Sequence, residues 1–236
     1  MTIQLQVTNL SMRFKDRVLF HIPHLSLGPS ESVYLKGTNG IGKTTLLKIL
    51  SGLQAPTTGE LNIGKKNWFK RLLGLSGNKN VIYLHQSPYL FDGTVYDNVN
   101  YGLKYQSLTA RERRANIINA LRLVGLETLA DEHISVLSGG EKQRVAMARA
   151  WVLKPSILLM DEPSASLDQE SIELLVVLAK DLLKRGSSLV ITSHQRNALT
   201  DLCRRQWVLS DRKLIDSTPL QLVDEEQQHY AYATAN

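Results

Sequence analysis

Residues 37–44 are the segment whose residue types and spacing point most directly to chemistry. Their sequence, Gly-Thr-Asn-Gly-Ile-Gly-Lys-Thr, matches the pattern G-x-x-x-x-G-K-[ST]. Glycines let the backbone curl until successive N–H groups point at one anion, and the start of a following helix adds partial positive charge. The lysine of such a loop reaches the outer phosphates of a nucleotide, and the next hydroxyl ligates Mg²⁺. The segment therefore predicts a phosphate-binding loop in which Lys43 and Thr44 act through their side chains.

A second candidate is a pair of carboxylates, Asp161 and Glu162, directly after the apolar run Ile157–Met160. The carboxyl end of a parallel strand delivers the residues that follow it to the ligand crevice of an open α/β sheet. There Asp161 could hold Mg²⁺ while Glu162 polarises an attacking water. A strand followed by two acids is also compatible with a solvated turn, but the phosphate loop in the same chain favours the catalytic interpretation.

The hydrophobic pattern predicts the sheet that would position these residues. Continuous apolar runs of strand length are typical of strands covered on both faces, as in a parallel sheet. Such runs occur at Val33–Leu35, Val81–Leu84, Ile157–Met160 and Ser188–Ile191. Alternation over Ile3–Leu10 predicts a further, half-buried strand. Residues 44–50 predict a helix that ends at Ser51-Gly52, because glycine is common just past a helix end.

Helical signals cluster between about Asn98 and Lys154. Thr109 with Glu112, and Ser138 with Glu141, have the spacing of capping boxes, and apolar residues at helical spacing follow the first pair. Strands alternate with helices on both sides of this block. We therefore predict an α/β core with a helical insertion.

Composition narrows the class of protein further. The chain has 236 residues, a formal net charge of +6 and one cysteine, Cys203, which excludes a disulfide scaffold. No apolar run reaches the length that spans a bilayer, and the first residues lack the pattern of a signal peptide, so we expect a soluble cytoplasmic protein. The basic charge would permit nucleic acid, anionic lipid or nucleotide as partner, although a solvated surface explains it more simply.

Residues 137–144, Leu-Ser-Gly-Gly-Glu-Lys-Gln-Arg, resemble the signature motif of ABC ATPases. The other motifs of that family follow in its usual order. They are the Walker A loop at Gly37–Thr45, the Q-loop Gln86, Walker B at Ile157–Asp161, Glu162, a D-loop at Ser164–Asp168 and the switch His194. The resemblance extends from Val7 to about Ile215 and implies one nucleotide-binding domain over residues 1–215, with a short tail at 216–236. It implies an α/β P-loop NTPase fold with a RecA-like core, an amino-terminal antiparallel β part and a helical subdomain, about residues 87–154, that carries the signature.

The same resemblance implies ATP and Mg²⁺ as cofactors, with ATP held between two subunits in a head-to-tail homodimer. One subunit would contribute Gly37, Thr38, Asn39, Gly40, Ile41, Gly42, Lys43, Thr44 and Thr45, and the other Ser138, Gly139, Gly140 and Gln143. It implies metal ligation by Thr44, Gln86 and Asp161, and catalysis by Glu162, His194 and Gln86. Phe14 would stack on adenine, with Phe20 as the competing candidate. Ile41 stands where the family usually has a small residue, and we expect its side chain to point away from the phosphates.

The implied function is ATP hydrolysis that powers an ABC transporter at the cytoplasmic face of the membrane, through separate transmembrane permease subunits. Separate small ATPase subunits are typical of bacterial importers, which also use a solute-binding protein. The segment Gln86–Leu103 resembles importers of small oxyanions such as tungstate or molybdate. The alternatives are an exporter subunit, an ABC ATPase that acts on nucleic acid or ribosomes, and a nucleotide-gated regulatory module; we do not expect a nucleic-acid partner. The basic and aromatic segment Lys65–Asn80 could touch lipid or nucleic acid, but it is more simply a variable surface loop.

Overall fold

The computed structural model describes residues 5–63, 66–67, 81–165 and 167–217. Numbered along the chain, four strands form an antiparallel sheet in the order β2-β1-β4-β5. Their bounds are Leu5–Phe14 (β1), Arg17–Leu27 (β2), Thr58–Ile63 (β4) and Lys66–Asn67 (β5). This sheet is the antiparallel β part that the resemblance implied.

Strand β1 continues past the predicted end at Leu10 and reaches Phe14. The sequence alternation stops early because Asn9 has a left-handed backbone (φ 50°) and shifts the register with β4 between Thr8 and Ser11. An extra residue of this kind is a β-bulge, which changes the face that the following side chains occupy. The bulge explains why the hydrophobic pattern gave a strand that was too short.

A second sheet of six strands has the order β10-β9-β3-β8-β7-β6. Its bounds are Ser32–Lys36 (β3), Val81–Leu84 (β6), Ile157–Met160 (β7), Ser188–Thr192 (β8), Arg205–Ser210 (β9) and Lys213–Ser217 (β10). Strands β9, β3, β8, β7 and β6 are parallel, and β10 pairs with β9 in antiparallel orientation. The predicted parallel sheet is confirmed.

Five α-helices complete the described part of the chain. They are Lys43–Ser51 (α1), Val95–Asn100 (α2), Ala110–Leu123 (α3), Gly139–Val152 (α4) and Gln169–Lys184 (α5). The predicted capping boxes at Thr109 and Ser138 are confirmed, and Gly52 ends α1 with a left-handed backbone (φ 76°). A third capping box at Thr94 and Asp97, which the sequence analysis did not identify, begins α2.

The six-stranded sheet is covered on both faces, which explains its continuous apolar runs. Leu159 and Val190 pack with α1 and the antiparallel sheet, whereas Leu158 and Ile191 pack with the helical block and α5. No helix of the described residues is both long and apolar enough to cross a bilayer. Apart from Lys66 and Asn67, the segment predicted at 65–80 lies outside the described residues, as does the predicted tail beyond Ser217.

Candidate functional site

The predicted site residues meet at one edge of the six-stranded sheet. Because β3, β6, β7 and β8 are parallel neighbours, their carboxyl ends lie at the same edge. The phosphate loop follows β3, Gln86 follows β6, Asp161 and Glu162 follow β7, and His194 follows β8. The topology therefore brings together residues that are far apart in the sequence.

The phosphate loop is a tight turn between β3 and α1. Gly42 has φ 116°, and a Cβ atom built there would lie 2.8 Å from Cδ2 of Leu19, so only glycine fits. The Nζ atom of Lys43 donates to the carbonyl oxygens of Gly37 (2.7 Å) and Thr38 (3.3 Å), which folds the side chain back over the loop. These bonds hold the ammonium group of Lys43 beside the amino terminus of α1, in position to meet an anion.

Ile41 packs against the hydrophobic cluster of β1, β2 and α1. Its Cγ2 atom lies 2.8 Å from the position that a Cβ would take at Gly37. The side chain is therefore directed to the protein interior, in the direction that the sequence analysis expected, and only its backbone remains to face a phosphate.

The carboxylate of Asp161 is buried and accepts hydrogen bonds from two hydroxyls. Tyr83 donates to Oδ2 (2.8 Å) and Thr192 donates to Oδ1 (2.9 Å). Burial raises the pKa of Tyr83, and its bond to Asp161 and the charge of that carboxylate raise the pKa further. Neither hydroxyl residue was predicted from the sequence; they lie on β6 and β8, the two strands that flank β7.

Glu162 lies between the other two predicted catalytic residues. Its Oε1 atom is 2.8 Å from Nε2 of His194, and its Oε2 atom accepts a hydrogen bond of 3.1 Å from Nε2 of Gln86. Its backbone is left-handed (φ 49°), and its N–H donates to Oγ1 of Thr192 (2.8 Å). Three residues from three strand ends therefore meet at the carboxylate of Glu162.

An open cavity of about 460 Å³ joins the phosphate loop to these residues. Its lining consists of Phe14, Arg17, Leu19, Asn39, Gly40, Gly42, Lys43, Thr44, Thr45, Gln86, Glu162 and His194. Phe14 is 51% exposed at the rim, whereas Phe20 is 0% exposed and belongs to the core. A buried ring has no free face, so the structure leaves Phe14 as the aromatic that can stack on a base. Arg17 and Leu19, which the sequence analysis did not select, also line the cavity.

The signature segment does not line this cavity. In the capping box of α4, Ser138 Oγ donates to Glu141 Oε2 (2.7 Å), and this bond lowers the pKa of Glu141. A Cβ at Gly139 would have no heavy atom of the described residues within 4 Å, so these residues leave the start of α4 open to an approaching group. Gln143 is only 4% exposed, and its buried Nε2 has no hydrogen-bond partner among the described residues, so its side chain is not presented at the surface as a nucleotide contact requires.

The donor set at the cavity fits Mg²⁺. Thr44 and Gln86 line the cavity with a hydroxyl and an amide oxygen, and the buried Asp161, directly before the lining residue Glu162, carries a carboxylate. Mg²⁺ prefers such oxygen ligands together with waters and substrate phosphates. Each oxygen of Asp161 accepts one hydroxyl bond and keeps a second lone pair for a metal or its water.

The D-loop has a structural role at its end, where Asp168 caps α5 by accepting from the Ser171 N–H (2.8 Å). Ser166 of that loop lies outside the described residues.

Residues 20–165 match the family described as ABC transporter. The chain belongs to the ABC transporter family. Two curated relatives support this assignment to the family. The chain is 36% identical over 193 residues to the Fe(3+) ions import ATP-binding protein FbpC of Photobacterium profundum (80% of this chain, 54% of that protein). It is 31% identical over 226 residues to the methionine import ATP-binding protein MetN of Streptococcus pyogenes serotype M6 (91% of this chain, 64% of that protein).

Among solved structures, this chain resembles cbiO1 from Clostridium perfringens, described as part of the ABC transporter complex cbiONQ. The TM-score is 0.80 with 27% sequence identity, over 96% of this chain and 93% of that one. A second structure, an ATP-binding subunit of an ABC transporter, has the same TM-score at 22% identity and supports the fold. This chain spans only 54–64% of the length of these two curated relatives.

Proposed function

We propose that this chain binds ATP with Mg²⁺ and hydrolyses it as the ATP-binding subunit of an ABC importer. The observation that carries the proposal is the cavity in which the phosphate loop faces the chain His194–Glu162–Gln86. A phosphate cradle without a base would only bind nucleotide, whereas this arrangement places a carboxylate next to the expected position of the γ-phosphate. Membership of the ABC transporter family supports the same activity.

In this proposal each residue has one task. Lys43 and the N–H groups at the start of α1 hold the phosphates, and Phe14 stacks on the base. Thr44, Asp161 and Gln86 would hold Mg²⁺, which would neutralise phosphate charge when bound. Glu162 accepts a proton from the attacking water, and each of its oxygens keeps a second lone pair for that water beside its present partner.

A second copy of the chain would complete the site from the other side of the nucleotide. The start of α4 is a helix amino terminus, and Gly139 leaves it uncrowded, which suits an approaching γ-phosphate. Ser138, Gly139 and Gly140 would provide that contact, whereas the burial of Gln143 favours a packing role for its side chain. We therefore propose a head-to-tail homodimer that forms with ATP.

An exposed aromatic surface offers a docking site for a separate permease subunit. Tyr89 (71% exposed) and Tyr101 (43% exposed) flank Phe91, with ring centroids 5.6 Å and 4.1 Å from that of Phe91. Arg149 braces this surface, because it lies over the Phe91 ring and donates to the Tyr89 carbonyl oxygen (2.8 Å). The surface follows Gln86 in the chain, so movement at the nucleotide could be passed to the permease at the cytoplasmic face of the membrane.

Import as the direction of transport is supported by the names of the curated relatives, which are import ATP-binding proteins. Those names refer to Fe(3+) ions and methionine, and another relative from Spiroplasma citri is named for spermidine and putrescine. None of these solutes is an oxyanion. The oxyanion class therefore stays a prediction from the segment Gln86–Leu103, and a solute-binding protein stays a proposed partner.

The proposed activity is tested by phosphate release from ATP, comparing the wild-type chain with Glu162→Gln. The amide keeps the shape and two polar atoms but cannot accept a proton, so hydrolysis should fall to near background while ATP affinity persists. Glu173→Gln, on the surface of α5, is the matched control and should hydrolyse ATP normally. Equal rates in wild type and Glu162→Gln would contradict the assigned base, and no hydrolysis by the wild type, alone or with its permease, would contradict the proposed activity.

A further inference from the structure

Thr192 stands out because it is polar and fully buried at the end of an apolar strand. It is 0% exposed, and its neighbours on β8, Leu189, Val190 and Ile191, are all apolar and buried. Packing alone would be satisfied by valine, which has nearly the same shape. Core packing therefore does not explain why this position carries a hydroxyl group.

The hydrogen bonds of this hydroxyl can be assigned without ambiguity. The backbone N–H of Glu162 donates to Oγ1 at 2.8 Å, so Oγ1 is the acceptor in that bond. The hydroxyl proton must then go to a different atom. Oδ1 of Asp161 lies at 2.9 Å and is charged, whereas the carbonyl oxygen of Met160 lies at 3.5 Å, so the proton goes to Asp161.

One oxygen atom consequently joins the two carboxylate residues of the site. On the Asp161 side it fixes Oδ1 while Tyr83 fixes Oδ2, so the plane of the carboxylate is set from both neighbouring strands. On the Glu162 side it holds a left-handed residue (φ 49°), a conformation that a non-glycine residue keeps only with support from its surroundings. The turn that aims the Glu162 side chain therefore depends on the same atom that orients Asp161.

We propose that Thr192 is a positioning residue that sets the geometry of Asp161 relative to Glu162. This inference rests on the proposed function, because it concerns how the metal carboxylate and the base of that reaction are held. Thr192 lines no cavity described above and acts through its two partners. Removal of its hydroxyl leaves one buried donor and one buried acceptor of the site unpaired.

Three variants separate positioning from packing. Thr192→Val removes the hydroxyl and keeps the shape, and Thr192→Ser restores the hydroxyl without the methyl group. Ser188→Ala is the matched control, since Ser188 is a buried hydroxyl residue at the opposite end of β8 that bonds the carbonyl oxygen of Gly28. It removes a hydrogen bond from the same strand at a distance from the carboxylates.

The first measurement is ATP hydrolysis together with the affinity for ATP in the absence of metal. Loss of an outer partner of a metal carboxylate typically lowers activity about 10-fold to 100-fold, so we expect that drop in kcat for Thr192→Val, with unchanged affinity for metal-free ATP. Thr192→Ser should recover most of the rate, and Ser188→Ala should retain it. A Thr192→Val enzyme with wild-type kcat, or a Thr192→Ser enzyme as slow as Thr192→Val, would overturn the proposal.

The second measurement is amide hydrogen exchange of Glu162 by NMR in the protein without nucleotide. Exchange at that N–H should accelerate in Thr192→Val and stay protected in Thr192→Ser, and equal protection in both would also overturn the proposal. Failure of the role proposed for Thr192 can be distinguished from failure of the proposed function. A wild-type chain that does not hydrolyse ATP, alone or with its permease, would contradict the proposed function, whereas an active wild type with an equally active Thr192→Val would contradict only the role of Thr192.

Discussion

The Nε2 atom of His194 lies 2.8 Å from Oε1 of Glu162, although the two residues follow different strands. The contact exists because β7 and β8 are adjacent and parallel, with Met160 opposite Ile191, so the residues beyond them emerge side by side. Gln86 contacts the other oxygen of Glu162 from the end of β6. Strand order, rather than any local motif, therefore assembles the three residues to which the resemblance to ABC ATPases assigns catalysis.

Substitution by alanine should affect different properties at the two aromatic candidates for base stacking, ATP affinity at Phe14 and stability at Phe20. Phe14→Ala removes an exposed ring at the cavity rim, so ATP affinity should fall by about 1–3 kcal/mol while the unfolding free energy changes little. Phe20→Ala empties a core position and should cost about 3–5 kcal/mol of unfolding free energy. Calorimetric titration and urea unfolding measure the two quantities.

Phe14→Tyr is the conservative control, since it keeps the π face, and it should bind ATP as the wild type does. Normal ATP affinity in Phe14→Ala would show that the ring does not stack on the base.

Lys43→Ala should weaken ATP binding about 10-fold to 100-fold, because hydrogen bonds to a charged partner contribute about 1.5–3 kcal/mol each. Lys48→Ala is a suitable control, because Lys48 lies on the same helix and does not line the cavity. Titration of each variant with ATP gives the comparison. An affinity of Lys43→Ala equal to that of Lys48→Ala would refute the cradle role of the loop.

Ser138→Ala and Thr109→Ala form a matched pair, because both residues begin helices through the same capping box. Each should lower the unfolding free energy by about 1 kcal/mol. Only Ser138→Ala should also reduce hydrolysis, since Ser138 is proposed to meet ATP across the dimer. Equal hydrolysis by the two variants would limit Ser138 to its capping role.

The destabilisation by Ser138→Ala should depend on pH. The bond from Ser138 lowers the pKa of Glu141 below its ordinary value of 4.5, so the capping box stabilises the fold above that pH and loses this contribution as pH falls through the native pKa. The difference in unfolding free energy between wild type and Ser138→Ala should therefore shrink as the pH falls from 7 to below 4.5. A difference that stays constant with pH would contradict this coupling.

The sequence was sufficient to predict the parallel sheet and two of the three capping boxes found in the described residues, and to identify the candidate phosphate loop. Those features have local signatures, such as a buried apolar run or Thr109 three residues before Glu112. The membership of the ABC transporter family was likewise visible in the order of short motifs, and the comparisons confirm it.

Features that depend on neighbouring strands could not be predicted in this way. The bulge at Asn9 hid the end of β1, and the contrast between Phe14 and Phe20 depends on which side of the hairpin faces the core. The contacts of Thr192 and Tyr83 could not be predicted because each residue bonds Asp161, which follows a different strand. A polar residue that closes an apolar run, as Thr192 does, is the sequence feature that could have drawn attention to it.

The most direct test of the account is sedimentation velocity of Glu162→Gln with and without ATP and Mg²⁺. The variant should bind ATP without consuming it, so the nucleotide joins the phosphate loop of one copy to the start of α4 in another. The account predicts a monomer without nucleotide and a dimer with ATP and Mg²⁺, and a Gly139→Trp change in the same background should abolish the dimer by filling the open space at α4. A variant that binds ATP with Mg²⁺ and remains monomeric at saturation would contradict the shared site.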